Sequence, residues 1–254
     1  MQILELWRFP IKGFGGSQVK AATLVADGYF PCDRCFAIST GGQKIATARP
    51  GAWFPKAHFL QLMSHTALAE YKCQYLTDGA KPVLELFHHG SRCISINPNS
   101  YDGRRKFEDF IFNNFGNHLR GKPRLMQMKD QAYSDQSAAF ISIASNASLD
   151  TFANATGTAP SSSRFRINII TNAHKAFGET DMIGQTFQCG NALMEVQKPV
   201  GRCAAINVDP KTALRSDKDY VRLMREKFGH CNLGVFAKVI KGGKVKVGDE
   251  LRPT

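Results

Sequence analysis

Residues 198–210 read KPVGRCAAINVDP. This stretch places Cys203 directly after Arg202 and just before an apolar run, residues 204–208, which predicts a buried strand. A thiol beside a fixed positive charge is favoured as thiolate, the form that binds metals or attacks electrophiles. Taken alone, however, the stretch favours a structural role, in which Cys203 is a small buried hydrophobic residue. The choice between the two depends on the rest of the chain.

The chain has 254 residues and seven cysteines. Its length allows two modest domains, and no apolar run approaches the roughly 18 residues that a membrane span needs. The N-terminus has neither a basic leader nor a small-residue cleavage site. The odd, scattered cysteines fit a reducing compartment. We therefore expect a cytoplasmic protein with no membrane partner.

The formal net charge of +12 is spread along the chain. Its densest cluster, residues 104–106, is at the start of a predicted helix, whereas nucleic-acid binders concentrate Lys and Arg on one helix or arm with interleaved aromatics. The pattern therefore argues against a nucleic-acid partner. It suits an anionic small ligand, such as a phosphate-bearing cofactor, which this charge would attract.

Short apolar segments separated by Gly, Pro, Asn and Asp dominate the first third of the chain and predict a β-barrel or sandwich. Residues 104–119 are predicted to form the first clear helix, followed by a domain boundary near residue 125. The second half predicts further strands, a terminal hairpin of residues 235–240 and 245–251, and helices over residues 148–155 and 216–228. The expected fold is α+β and predominantly β, with domains at residues 1–125 and 126–254 and a few short helices.

Candidate binding residues come from both halves. Lys12 and Arg34 follow strand-like segments, in loops where functional groups are commonly displayed, although either side chain alone fits a solvated charge. The segment RFRINII, residues 164–170, reads as a strand in which Arg166 and Asn168 share one face. Because alternate strand residues point the same way, the two side chains face either solvent or a polar cleft. The pair Cys32-x-x-Cys35 fits a redox couple or half of a zinc site, but no second ligand pair completes such a site.

The motifs in chain order resemble the MOSC superfamily, named for the C-terminal domain of molybdenum cofactor sulfurase. They are most similar to the branch that contains the mitochondrial amidoxime reducing component and its bacterial relatives. The first three motifs resemble the MOSC N-terminal β-barrel domain and the last four the MOSC domain proper: WRFPIKG (7–13), CDRCFAI (32–38), IATARP (45–50), SNASLDTF (145–152), FRINII (165–170), GRCAAINVDPKT (201–212) and KVKVGDEL (244–251).

The resemblance implies a molybdenum cofactor held in a cleft between an N-terminal β-barrel-like domain and a MOSC β-barrel domain. In that family the cysteine at the position of Cys203 is the protein ligand of molybdenum. The residues at the positions of Lys12, Arg34, Arg166 and Asn168 hold the pterin and its phosphate. A thiolate is the soft donor expected for such a metal, and Arg grips phosphate bidentately. We expect Arg202 to help to keep Cys203 ionised.

The resemblance further implies an oxidoreductase that reduces small N-hydroxylated compounds with electrons from a separate flavin or iron–sulfur reductase. The alternative is a non-catalytic carrier of molybdenum cofactor, or a sulfur-transfer module that uses a Cys203 persulfide. Two glycines depart from the family pattern. Gly13 stands where relatives of the amidoxime-reducing branch often carry serine, and Gly201 replaces a small hydroxyl residue.

Overall fold

The computed structural model describes residues 1–42, 54–136 and 138–254. Its secondary structure within these ranges is mostly strand, with four α-helices and short 3-10 turns. The strands are β1 (Ile3–Arg8), β2 (Ser17–Gln18), β3 (Ala21–Leu24), β4 (Phe36–Ile38), β5 (Tyr71–Leu76), β6 (Val83–His88), β7 (Ser91–Ile96), β8 (Leu125–Gln127), β9 (Ile141–Ser145), β10 (Ile169–Thr171), β11 (Thr186–Cys189), β12 (Ala192–Gly201), β13 (Asn232–Lys241), β14 (Gly243–Lys246) and β15 (Leu251–Pro253). The helices are α1 (Tyr101–Phe115), α2 (Asn146–Thr156), α3 (Ser162–Phe165) and α4 (Tyr220–Phe228).

The main sheet has eight strands in the order β15-β11-β12-β13-β9-β10-β1-β2. Strands β9 and β10 are parallel, and the other neighbours are antiparallel. The N-terminal strand β1 pairs with β10 through Leu6 and Ile169, and both side chains are fully buried in one core. The first strand of the chain thus extends the sheet built by the second half.

A smaller three-stranded sheet, β5-β6-β7, packs against helix α1. The helix buries Phe107, Ile111 and Phe115, so the predicted aromatic stripe is a core face. It begins three residues before the predicted start because Ser100, rather than Asp102, caps it by accepting a hydrogen bond from the Gly103 amide. A hydroxyl at that position satisfies an amide that has no partner within the helix.

The predicted helices of the second half are also present. Helix α2 begins after the predicted cap, Ser145, and ends at Gly157, which adopts the left-handed conformation with φ 72°. Helix α4 is shorter than predicted, because Asp219 rather than Ser216 caps it by accepting from two backbone amides. Gly229 ends that helix with φ 75°, as a left-handed glycine commonly does.

The predicted terminal hairpin is wrong. Strand β14 pairs with β3 rather than with β13, in an antiparallel register that places Val245 opposite Ala22. Val245 is fully buried in the same core as Leu24, so burial of its side chain favours this pairing. Strand β14, near the end of the chain, is therefore hydrogen-bonded to β3, near its beginning. Local turn signals in the sequence do not reveal such a long-range pairing.

The predominantly β, α+β fold predicted from the sequence is confirmed. The boundary near residue 125 stays a prediction, and the predicted strand at residues 44–48 lies outside the described residues. No helix in the described ranges has the length and apolar character to cross a bilayer.

Candidate functional site

A cavity of about 300 Å³ is lined by residues from several chain segments. They include the loop after β1, the turn before β4, the connection from α3 to β10, and the residues that follow β12. All six residues predicted to form a site line this one cavity: Lys12, Arg34, Arg166, Asn168, Arg202 and Cys203. They come from sequence positions up to nearly 200 residues apart, and the fold brings them together.

Cys203 lies two residues beyond the end of β12 and is exposed. The amide of Arg202 donates to the carbonyl oxygen of Cys231 over 2.8 Å, which extends the pairing of β12 with β13 up to the cysteine. The strand predicted for residues 204–208 is wrong, because Ala204–Asn207 form a 3-10 turn. This turn leaves the thiol at the cavity wall, so the alternative of a buried packing cysteine does not hold.

Arg202 is a half-buried cation held by backbone oxygens. Its Nη1 donates to the carbonyl of Phe165 over 2.8 Å, and its Nε and Nη2 donate to the carbonyl of Leu233. Burial lowers the pKa of Arg202 to about 9, against the opposing effect of Cys203, so the guanidinium stays charged at neutral pH. Arg202 therefore places a fixed positive charge on the residue that directly precedes Cys203.

Arg166 and Asn168 reach the cavity by a different backbone path from the predicted one. The segment is not a strand until β10 begins at Ile169; helix α3 ends at Phe165, and Arg166 adopts the left-handed conformation with φ 54°. Asn168 Oδ1 accepts from both the amide and the hydroxyl of Ser142, at 3.1 and 2.9 Å. The turn, rather than strand alternation, places both residues at the cavity.

Arg166 also holds the loop that carries Lys12. Its Nη1 donates to the carbonyl of Phe14, and its Nη2 donates to that of Ile11 over 3.4 Å. Burial, followed by the neighbouring charge of Arg34, lowers the pKa of Arg166 to about 9. The ring of the buried Phe9 lies 4.6 Å from the Arg166 guanidinium and 5.4 Å from that of Arg34.

Lys12 points its ammonium group toward the segment before β9. Its Nζ donates to Asp135 Oδ1 over 2.8 Å and to the carbonyl of Tyr133 over 2.9 Å. Burial lowers the pKa of Lys12, Asp135 raises it, and the charges of Arg34 and Arg166 lower it again, with a net lowering. Lys12 therefore releases its proton more readily than an exposed lysine.

Arg34 lies in a turn where its own φ is 51°. Its Nη1 pairs with the buried carboxylate of Asp33, which also accepts from the Phe9 amide over 2.7 Å. Its Nη2 donates to the carbonyl oxygen of Arg166 over 3.1 Å. A guanidinium has five N–H groups, so these two bonds leave donors for a ligand.

The cavity carries an excess of positive charge. Six cationic residues line it among the described residues, against two carboxylates, Asp33 and Asp135. Because burial weakens screening by water, cations placed so close together favour an anion between them. The arrangement therefore fits a phosphate or another compact anion.

Four further residues at this cavity were not singled out from the sequence: Asp33, Tyr133, Asp135 and Arg164. Asp33 directly precedes Arg34, and Arg164 begins the segment RFRINII that carries Arg166, so their positions are a signal that could have found them. Asp135 has no such signal, because its role depends on a contact with Lys12 across 123 residues. Arg164 pairs with Asp209 over 2.8 Å and so anchors the segment after Cys203.

Two buried polar atoms of lining residues lack a hydrogen-bond partner among the described residues, Tyr133 Oη and Arg164 Nε. Buried polar groups are normally paired. The donor set of the cavity, an exposed sulfur with an excess of cations, fits a molybdenum–pterin cofactor with its phosphate. Among the lining residues, Cys203 supplies the sulfur donor.

A wider depression of about 570 Å³ lies between β7 and α1, lined by Cys93 and Arg105. Another, of about 560 Å³, lies beside Met1 and Asn172. Neither contains any of the six predicted residues, and neither combines an exposed thiol with so many cations. The 300 Å³ cavity is therefore the candidate site.

Comparison with known families agrees with this geometry. A model of the MOSC domain matches residues 115–252, more than half of the chain, and a model of the MOSC N-terminal beta barrel domain matches residues 1–70. The chain belongs to the MOSC domain family, which is associated with molybdenum cofactor. Comparison with curated proteins gave no significant match.

Solved structures with similarity to the chain include the YUAD protein from Bacillus subtilis. It is 16% identical with a TM-score of 0.45, over 98% of this chain and 93% of that one. YiiM from Geobacillus stearothermophilus is 15% identical and YiiM from Escherichia coli 21%, each with a TM-score of 0.34 over 45% of this chain. The aligned part spans 53% of either YiiM chain, about half of its length.

Proposed function

We propose that the chain binds molybdenum cofactor in the candidate cavity and reduces small N-hydroxylated compounds, such as amidoximes and hydroxylamines. The observation that carries the proposal is the convergence of an exposed thiol, Cys203, with six cationic side chains on one cavity. Membership of the MOSC family supports the cofactor. The motifs of this chain resemble those of the amidoxime-reducing branch in kind and order, and this resemblance supports the reduction of N-hydroxylated compounds.

The cations bind and orient the anionic part of the ligand. Arg34 and Lys12 keep 22% and 13% of their side-chain surface, so both can contact this part of the ligand. Arg166 holds the Lys12 loop through two carbonyl oxygens and adds its charge. Asp135 holds the proton of Lys12 by accepting a hydrogen bond at Oδ1.

Cys203 is the residue that would ligate molybdenum, since thiolate is a soft donor. Bound cofactor supplies the two-electron redox change and the Lewis acidity that reduction of an N–O bond requires. Phe140 and Phe236, which stack with a centroid distance of 5.4 Å, form an apolar part of the wall. Such a surface suits the organic part of the substrate and limits access of water.

Reduction of an N–O bond consumes two electrons and two protons. The proposal includes a separate flavin or iron–sulfur reductase as electron donor and a cytoplasmic location, for which the scattered free cysteines are the basis. The test is to express the chain in a host that makes molybdenum cofactor and to supply a chemically reduced dye and an amidoxime. Appearance of the amidine supports the enzyme. Cofactor-saturated protein that yields no amidine with any donor contradicts it.

A carrier or sulfur-transfer module is the second candidate, and the exposure of Cys203 favours it. An exposed thiol can carry a persulfide without a substrate pocket. Mass spectrometry separates the two candidates. An added sulfur that is lost on reduction and absent from Cys203→Ala favours transfer, whereas substrate turnover favours catalysis.

A further inference from the structure

The turn before β4 contains two cysteines that the proposed function does not use. Cys32 and Cys35 flank Asp33 and Arg34, and the turn is tight: Cys32 has φ 59° and Arg34 has φ 51°. The chain folds back so far that Cys35 Sγ lies 3.4 Å from the carbonyl oxygen of Cys32. The Cα atoms of the first and fourth residues of a tight turn lie within about 7 Å of each other, which is close to the range that a disulfide spans.

The two thiols differ in access. Cys32 is half-buried, while Cys35 is buried in the core that packs against β5 and α1. An accessible thiol followed by a buried one is the arrangement in which the first attacks and the second resolves. The turn therefore has the asymmetry that thiol–disulfide exchange needs.

The electrostatics agree with this order. The hydrogen bond from the Cys35 thiol, with help from the charge of Arg8, lowers the pKa of Cys32 to about 7 despite the opposing effect of burial. The same hydrogen bond, together with burial, raises the pKa of Cys35. At neutral pH Cys32 is thus the better nucleophile.

A zinc site is the other chemistry that this spacing suggests. Within the described ranges, three ligands close enough to share a metal occur in one cluster, Glu70, His88 and His89, which contains neither cysteine. The nearby thiol of Cys73 is fully buried, and burial raises its pKa well above the usual value. Metal binding by the pair would need ligands that the described residues do not bring to it.

We propose that Cys32 and Cys35 form a thiol–disulfide exchange site whose substrates are disulfides of small thiols. The Cys32 thiolate attacks one sulfur of the disulfide, forms a mixed disulfide and releases the first thiol. The Cys35 thiolate then attacks the Cys32 sulfur, closes the Cys32–Cys35 bond and releases the second. In sum, the dithiol is oxidised, the small disulfide is reduced to two thiols, and the two cysteine protons pass to those thiols. The bond forms on the turn that presents Arg34 to the cavity.

The test uses the 254-residue chain with Cys93→Ser and Cys203→Ser, which removes two exposed thiols. The protein is equilibrated with graded mixtures of oxidised and reduced glutathione, quenched in acid, alkylated and mapped by mass spectrometry. We expect the peptide with residues 32–35 to lose two hydrogens and to resist alkylation as the mixture becomes oxidising. Absence of this bond at every ratio overturns the proposal.

Single variants test the assigned order. With Cys35→Ser, a glutathione adduct should accumulate on Cys32, because no second thiol resolves it. With Cys32→Ser, Cys35 should remain a free thiol. An adduct on Cys35 in the second variant, or none on Cys32 in the first, contradicts the assignment.

A measurement on the unsubstituted pair keeps the proposal testable even if a variant fails to fold. The alkylation rate of Cys32 should reach half of its maximum near pH 7, the pKa given by its partner thiol. At neutral pH it should exceed that of an ordinary exposed thiol roughly threefold, since a higher thiolate fraction outweighs lower nucleophilicity. A rate that rises only near the ordinary value of 9.0 overturns the proposal.

Discussion

Arg34 donates a hydrogen bond from Nη2 to the backbone carbonyl oxygen of Arg166 over 3.1 Å, although 132 residues separate them. The bond joins the turn before β4 to the turn after α3. Both arginines contact the ring of Phe9, so three residues from distant segments form one unit. The anion-binding part of the cavity is therefore built by tertiary contacts between backbone turns.

Arg166→Met should destabilise the fold. The change removes the Arg166 donor from the carbonyl oxygen of Phe14, and it leaves that of Ile11 with the Phe14 amide alone, at a cost of about 2 kcal/mol in the free energy of unfolding. Urea denaturation measures it. Arg222→Met, which removes an exposed ion pair with Glu226, is the control and should leave the midpoint unchanged. Equal midpoints for the two variants would contradict the role of Arg166.

Gly13 and Gly201 should differ in how they tolerate serine. Gly13 has φ 86°, and a Cβ there would lie 3.0 Å from Leu68 Cδ1. Gly13→Ser should therefore cost about 1–3 kcal/mol of unfolding free energy. At Gly201 the nearest atom to an added Cβ is Asn232 Oδ1 at 3.7 Å, so Gly201→Ser should change it by less than about 0.5 kcal/mol. The reverse order in urea denaturation would contradict this account.

Arg34→Gln should weaken anion binding. Inorganic phosphate is the probe, and its dissociation constant by calorimetry should rise roughly tenfold, because a charge-assisted hydrogen bond is lost. Arg92→Gln is the matched control, since Arg92 pairs with Glu85 on β6, outside the cavity. Phosphate affinity that is equal in both variants would show that Arg34 does not bind the anion.

The affinity for phosphate should fall as pH rises through the pKa of Lys12. Burial lowers this pKa below the ordinary 10.5, so the loss of affinity should begin at a lower pH than for an exposed lysine. Asp135→Asn removes the partner that raises the pKa of Lys12 and should move the fall to still lower pH. Lys12→Arg should move this step to higher pH, because a guanidinium holds its proton more strongly than an ammonium group. An unchanged pH profile in Asp135→Asn would contradict the pairing.

The Lys12–Asp135 pair also affects stability with pH. The pKa of Asp135 is lowered, because the hydrogen bond and charge of Lys12 outweigh the effect of burial. The folded state then binds the Asp135 proton more weakly than the unfolded chain. This contribution to stability is present above the ordinary value of 3.8 and is lost as pH falls through the lowered pKa. Asp135→Asn should flatten the pH dependence of the unfolding midpoint in that acid range.

Sequence patterns predicted the elements whose signals are local. The cap at Ser145, the left-handed Gly157 and the buried stripe of α1 follow from side chains within a few positions of each other. The pairing of β14 with β3 and the left-handed turn at Arg166 depend on contacts between distant segments. The hydrophobic periodicity of a sequence carries no information about contacts between distant segments.

The site shows the same division. Strand alternation predicted that Arg166 and Asn168 share one face, and both residues line the cavity. The predicted backbone is wrong, because helix α3 and the left-handed turn at Arg166 occupy residues predicted as strand. The six residues were found through their motifs, whereas Asp135 and Tyr133 enter the site through the fold alone. Cys203 was predicted at the start of a buried strand, and the observed 3-10 turn explains why its thiol is exposed.

The most direct test is the molybdenum and pterin content of the chain purified from a host that makes the cofactor. We expect about one molybdenum per chain in the unsubstituted protein, because one cysteine supplies the protein ligand. Cys203→Ser should retain less than about a tenth of it, and Cys93→Ser, the control at an exposed thiol outside the cavity, should retain all of it. Purified protein without molybdenum and pterin, or equal molybdenum in the two variants, would contradict the account.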